Sequence, residues 1–222
     1  MLHHLVRYVL APAARLAYRP AVVGLENVPA DGPVILASNH RAVLDTAVIS
    51  LVVRRRVQFL GKAEYFTQPG FRGRAMAAFV GGLGYVPVER GNAHAGLAAL
   101  NAGQKVLNAG GAFAIYPEGT RSLDGRLYRG HTGVAVLAFS TGAPVVPVAL
   151  TGTENLLPRG ARIPRPARIT ARFGEPLDFS GWTEHNLRAR RAVTDEVMAA
   201  IQRLSRQEYV NTYHRRPDED VA

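Results

Sequence analysis

Val34-Ile35-Leu36-Ala37-Ser38-Asn39-His40-Arg41-Ala42-Val43-Leu44-Asp45-Thr46-Ala47-Val48-Ile49-Ser50-Leu51 is the stretch from which the rest of the chain can be read. Its first four residues form the short apolar run expected of a buried strand, and Thr46 to Leu51 reads as the start of a helix. Between them stand a histidine and an aspartate five positions apart. At a strand-to-helix turn His40 and Asp45 can meet at the C-terminal edge of a sheet. There the carboxylate can bond one imidazole nitrogen, fix the tautomer and raise the basicity of the other. Such a pair on a loop is more often structural than catalytic, and it brings no nucleophile of its own.

Working outward, apolar runs alternate with helical patterns. Val57 to Leu60, Tyr85 to Val88, Ala112 to Tyr116 and Val145 to Leu150 are strand candidates, and Ile169 to Phe173 alternates as a strand near an edge would. Helical spacing covers Ala93 to Asn108, which stops at Gly110-Gly111, and Thr132 to Ser140. A long C-terminal helix is expected from Thr183 to about Tyr209. This βα alternation predicts an α/β fold. The expected division is a helix over residues 1–20, one domain over 21–210 and a flexible tail over 211–222, with no internal repeat.

A chain of 222 residues with 47% hydrophobic content can form one domain with a substantial core. The absence of cysteine excludes disulfides, a thiolate nucleophile and cysteine-ligated metal. Lys and Arg number 27 against 17 acids, a formal net charge of +10, and this predicts an anionic partner: nucleic acid, a phosphate-bearing substrate or an anionic membrane surface. Nucleic acid is disfavoured, because the arginines are dispersed and no binding motif is recognisable.

At the N-terminus Leu2, Leu5, Val6, Val9, Leu10 and Leu16 recur largely at helical spacing, Arg7, Arg15 and Arg19 project elsewhere, and no acid precedes Glu26. The segment is too short and too interrupted by arginine to span a bilayer. Two readings stand: a basic amphipathic helix in the membrane interface, or a helix packed on its own domain.

More chemistry gathers at the other strand ends. Tyr116-Pro117-Glu118-Gly119-Thr120-Arg121-Ser122 follows the fourth strand candidate. Its Pro and Gly force a turn where ligand-binding loops of open sheets collect, Gly119 permits close backbone approach, and Thr120 and Arg121 supply donors. Gly84 to Arg90 is a strand ending in an acid and an arginine, and Lys62 follows the second strand candidate. If these edges coincide, one pocket holds His40, Asp45, Lys62, Arg90, Glu118 and Arg121.

Together these segments resemble the glycerolipid acyltransferase family, of the 1-acylglycerol-3-phosphate (lysophosphatidic acid) type. Asn39, His40 and Asp45 match its Asn-His-x4-Asp motif. Gly84 to Arg90 matches the second, Tyr116 to Ser122 the third in full, and Val146-Pro147-Val148 the fourth. Ala42 and Pro87 depart from it, where serine and an aromatic are frequent. The resemblance covers roughly residues 21 to 175. It implies a glycerol-3-phosphate acyltransferase-like fold, a mixed, largely parallel sheet flanked by helices, here with the N-terminal amphipathic helix.

The resemblance further implies acyl transfer from acyl-CoA or acyl carrier protein to the sn-2 hydroxyl of lysophosphatidic acid. His40, oriented by Asp45, would be general base, with no acyl-enzyme, since Cys and a Gly-x-Ser-x-Gly elbow are lacking. Backbone amides around Gly119-Thr120 would receive the oxyanion. Arg90, Arg121 and Lys62 would hold the acceptor's phosphate, Glu118 would orient one of them or a hydroxyl, and Arg129 would help bind phosphate or the acyl carrier. No metal or other cofactor is called for. The expected place of work is the cytoplasmic face of the cell membrane, as a peripheral protein. Two alternatives stay open: a different lysophospholipid or glycolipid acceptor, and a non-catalytic lipid-binding protein on the same fold.

Overall fold

The structure is a computed structural model that describes residues 18–88, 95–158, 161, 165–183 and 186–214. In chain order its elements are β1 (Ala21–Val23), β2 (Val34–Ser38), α1 (Asp45–Val52), β3 (Val57–Lys62), α2 (Glu64–Thr67), α3 (Gly70–Gly82), β4 (Tyr85–Val88), α4 (Ala95–Asn108), β5 (Ala112–Ile115), β6 (Leu127–Tyr128), α5 (Gly133–Thr141), β7 (Val145–Thr151), β8 (Thr170–Phe173), α6 (Leu187–Ser205) and β9 (Tyr209–Val210). The N-terminal helix expected over 1–20 falls almost wholly outside the described residues, and so do Arg90 and the end of the tail.

The main sheet runs β1-β8-β7-β2-β5-β3-β4. From β7 to β4 every pairing is parallel. β8 runs antiparallel to β7, and β1 pairs parallel with β8. The sheet is therefore mixed and largely parallel, with helices on its faces. Strand β2 shows why: Val34, Ile35, Leu36 and Ala37 are all fully buried, as a strand covered on both sides must be. Val34 and Leu36 join one core with Val48, Ile49 and Val52 of α1. Ile35 and Ala37 join the other, with Leu107 of α4, Leu137 of α5 and Val197 and Ile201 of α6. Each large side chain so buried contributes about 1.5–3 kcal/mol.

Parallel pairing brings the C-terminal ends of β2, β5, β3 and β4 to one edge of the sheet. The order along that edge is β2, β5, β3, β4. With neighbouring strands about 4.8 Å apart, the His40 loop and the Glu118 loop are adjacent. Lys62, closing β3 opposite Val88 of β4, lies further along.

Several elements differ from the sequence reading. Helix α3 is not legible, because Gly70, Gly73, Gly81 and Gly82 depress helix propensity across it. The C-terminal helix begins at Leu187, where the Asn186 side chain accepts from the Ala189 amide at 2.9 Å. It ends at Ser205 rather than near Tyr209, because Arg206 adopts a left-handed conformation (φ 59°) and its amide closes the last turn on the Gln202 carbonyl. The chain released there forms β9, parallel to β6. Residues 211–214, read as tail, are held: the Arg129 amide donates to the Thr212 carbonyl at 3.1 Å, and the Tyr213 ring stacks on His131.

Candidate active site

His40 leaves β2 two residues past its end, and Asp45 opens α1. The His40 Nδ1 and Asp45 Oδ2 atoms lie 2.8 Å apart. The same Oδ2 accepts the backbone amides of Arg41 at 2.6 Å and Ala42 at 2.8 Å. One carboxylate oxygen thus shapes the loop and orients the imidazole. Asp45 is fully buried while His40 keeps 18% of its side chain exposed. In the neutral ring, a carboxylate on Nδ1 favours the tautomer that carries the proton there and leaves the lone pair on Nε2. Among the described residues nothing bonds Nε2. Ala42 is itself buried, so a small residue suits that position.

The imidazole ring is fixed a second way. Tyr116, the residue after β5, stacks on it with centroids 3.9 Å apart and planes 12° from parallel. The Tyr116 hydroxyl and Thr46 Oγ1 are 2.9 Å apart. Burial, followed by the charge of Asp45, pushes the Tyr116 phenol well above its ordinary acidity range, so it stays neutral. In the sequence Tyr116 is the aromatic of a motif; its service as a platform for His40 depends on β5 lying beside β2.

Glu118 is not where a substrate contact would be. It is buried at 1% exposure. One of its oxygens accepts the His40 amide at 3.2 Å and the other the Tyr128 amide at 2.9 Å. No arginine bonds it among the described residues. Its position corrects the expected role: Glu118 ties the His40 loop to β6. Burial raises its carboxyl to about 7, against the lowering effect of those two amides. The Ser122 amide donates to the His40 carbonyl at 2.8 Å, so His40 is gripped through both its backbone groups.

Gly119, at φ 73°, makes the turn that glycine permits, and its amide donates to the Tyr116 carbonyl at 3.0 Å. That amide is therefore engaged within its own turn. Among the described residues the amides of Thr120 and Arg121 have no acceptor. The Arg121 side chain is exposed. Lys62 holds its place at the end of β3, whereas Arg90 lies outside the described residues. Arg129, next to β6, sets its guanidinium over the Tyr213 ring at 5.3 Å.

A strand-end His–Asp dyad with a free imidazole nitrogen, held against a Pro-Glu-Gly-Thr-Arg-Ser turn, can be compared with known proteins. A family model described as Acyltransferase matches residues 19–151, from just before β1 to the end of β7. The chain belongs to the acyltransferase family. Among similar proteins, the chloroplastic 1-acyl-sn-glycerol-3-phosphate acyltransferase BAT2 of Brassica napus is 34% identical over 145 residues, 65% of this chain and 40% of that protein. The corresponding LPAT1 of Arabidopsis thaliana is also 34% identical over 145 residues, 65% of this chain and 39% of that protein. The chain thus spans about two-fifths of the length of these relatives. The crystal structure of the 1-acyl-sn-glycerophosphate acyltransferase PlsC from Thermotoga maritima matches with a TM-score of 0.65 at 28% identity, covering 87% of this chain and 76% of that one. This acyltransferase shares its fold.

Proposed function

We propose that this chain transfers a fatty acyl group from an acyl thioester, acyl-CoA or acyl carrier protein, to the free sn-2 hydroxyl of lysophosphatidic acid, giving phosphatidic acid for phospholipid synthesis. The observation that carries the reading is the His40–Asp45 contact at 2.8 Å with Nε2 left open at the edge where ligand-binding loops gather. The names of the plant and bacterial relatives support the choice of acceptor.

The reaction follows from the dyad. His40 Nε2 takes the proton of the lipid hydroxyl as its oxygen attacks the thioester carbonyl, and buried Asp45 stabilises the imidazolium that forms. The carbonyl oxygen becomes an oxyanion, for which the amides of Thr120 and Arg121, without an acceptor among the described residues, are the candidate donors. The C–S bond then breaks, the ester carbonyl re-forms, and the departing thiolate takes the proton back from His40. Positioning of this kind contributes about 10²–10⁴-fold for the base alone.

Arg121, Arg90 and Lys62 are assigned to the acceptor's phosphate, with Arg129 behind them. The Arg121 loop follows β5, which lies beside β2, and Lys62 closes β3 at the same edge of the sheet, which supports a cationic site near the dyad. Val43 and Leu123, 56% and 45% exposed, sit on the loops that carry His40 and Arg121. Apolar groups at the mouth of a cationic site suit a substrate whose head is anionic and whose tail lies in a lipid layer. The charge of +10 suits a peripheral position on an anionic membrane, which we place at the cytoplasmic face.

The test is a product assay with a panel of lysolipids and acyl-CoA chain lengths. Phosphatidic acid from lysophosphatidic acid is the expected product. Transfer to lysophosphatidylcholine or a glycolipid, and none to lysophosphatidic acid, would replace the acceptor; no transfer to any of them would refute the enzyme.

A further inference from the structure

We infer that Gln207, in the segment that follows α6, is a positioning residue for His40. Asn39, the residue before the histidine, is fully buried. Its carboxamide imitates a peptide unit at the end of the β2–β7 ladder: Oδ1 accepts the Leu150 amide at 2.8 Å and Nδ2 donates to the Leu150 carbonyl at 3.0 Å. That leaves one N–H of Nδ2, and Gln207 Oε1 accepts it at 2.7 Å. Gln207 Nε2 in turn donates to the Gly125 carbonyl at 2.8 Å, on the loop that carries Glu118, Thr120 and Arg121. The carboxamide of Gln207, a residue 168 positions after Asn39 in the chain, therefore joins the loop of His40 to the loop of Glu118.

The segment around Gln207 is locked in turn. Arg206 in its left-handed conformation aims the chain back toward the site, and Gln202 Nε2 donates to the Gln207 carbonyl at 3.3 Å. The Leu127 amide donates to the Glu208 carbonyl at 2.8 Å, and Tyr209–Val210 pair with Leu127–Tyr128. β6 also supplies the Tyr128 amide to Glu118, which holds the His40 amide. The end of α6 thus acts on His40 by two routes, through Gln207–Asn39 and through β9–β6–Glu118. The first is a saturated chain of neutral hydrogen bonds, and breaking it leaves the buried Nδ2–H of Asn39 and the Gly125 carbonyl unsatisfied.

The role rests on His40 being the base, as proposed above. Its test uses the full chain with Gln207→Met, which keeps volume and removes both bonds. The expected result is a kcat about ten- to a hundredfold lower per folded molecule, the scale of a mispositioned reacting group, with KM for the acyl thioester within twofold. Hydrogen exchange should quicken in peptides covering 38–46 and 117–128 and at Leu150. The core variant Ile201→Ala, in contrast, should lower stability without changing kcat. In an Asn39→Ser background Gln207→Met should cause less than a threefold further loss, since the two act in series. Gln207→Glu, which keeps the acceptor and loses the donor, serves where the methionine variant does not fold, and should give a smaller loss of kcat. A kcat within twofold of wild type for the variant that folds, a KM change equal to the kcat change, or faster exchange spread evenly over the sheet would overturn the inference. Wild-type protein without transferase activity would instead refute the proposed function, and the exchange measurement would still read the Gln207 bridge.

Discussion

Glu118 carries a titration that the fold must bear. Its carboxyl is raised from 4.5 to about 7 because burial disfavours the charge. Between those values the folded state binds a proton more tightly than the unfolded chain, so this group's contribution to stability is fullest below pH 4.5 and declines until about pH 7. From pH 5.5 to 8 the decline amounts to about 2 kcal/mol. Urea unfolding at the two pH values should show that difference in the wild type and lack it in Glu118→Gln; equal pH dependence in both proteins would contradict the assignment. The dyad itself was legible in the sequence because His40 and Asp45 meet across a single local turn. The work of Glu118 was not, since its partners His40 and Tyr128 are brought to it by strand order and by β6, neither of which the motif encodes. The same holds for Gln207, which looks like any polar residue after a helix until β7, β2 and α6 are assembled.

At the scale of elements, the end of α6 is the place where sequence and structure part. Helical spacing continues toward Tyr209, and nothing in the composition of Ser205-Arg206-Gln207-Glu208 marks a stop. The stop comes from tertiary contacts, the bond to Gly125 and the pairing of β9 with β6, which outweigh local propensity. Arg206 at φ 59° bears the strain. Arg206→Gly relieves it, and a gain of about 0.5–1 kcal/mol is expected, read as a rise of a few degrees in Tm; a lower Tm would mean that the arginine side chain itself holds the cap. The central strands, in contrast, were legible because β2, β5 and β7 are buried on both faces and read as unbroken apolar runs. Three-residue β1, whose side chains are all exposed, has no such run to betray it.

For the molecule as a whole, sheet order makes the site, because parallel β2, β5, β3 and β4 set their loops along one edge. No described helix is long and apolar enough to cross a membrane. The proposed association with lipid rests instead on charge, on exposed apolar side chains such as Val43 and Leu123, and on the basic residues of the N-terminal stretch. Deleting residues 1–19 should weaken sedimentation with anionic vesicles at low salt, and added salt should weaken that of the full chain. Equal sedimentation of the two forms would sink the anchor. The account as a whole stands on His40 as the base that activates the acceptor's own hydroxyl, and turnover of His40→Ala in the acyl-CoA and lysophosphatidic acid assay tests it most directly. A loss of about 10²-fold or more in kcat from a protein that folds as the wild type does is predicted; wild-type turnover by that variant would contradict it.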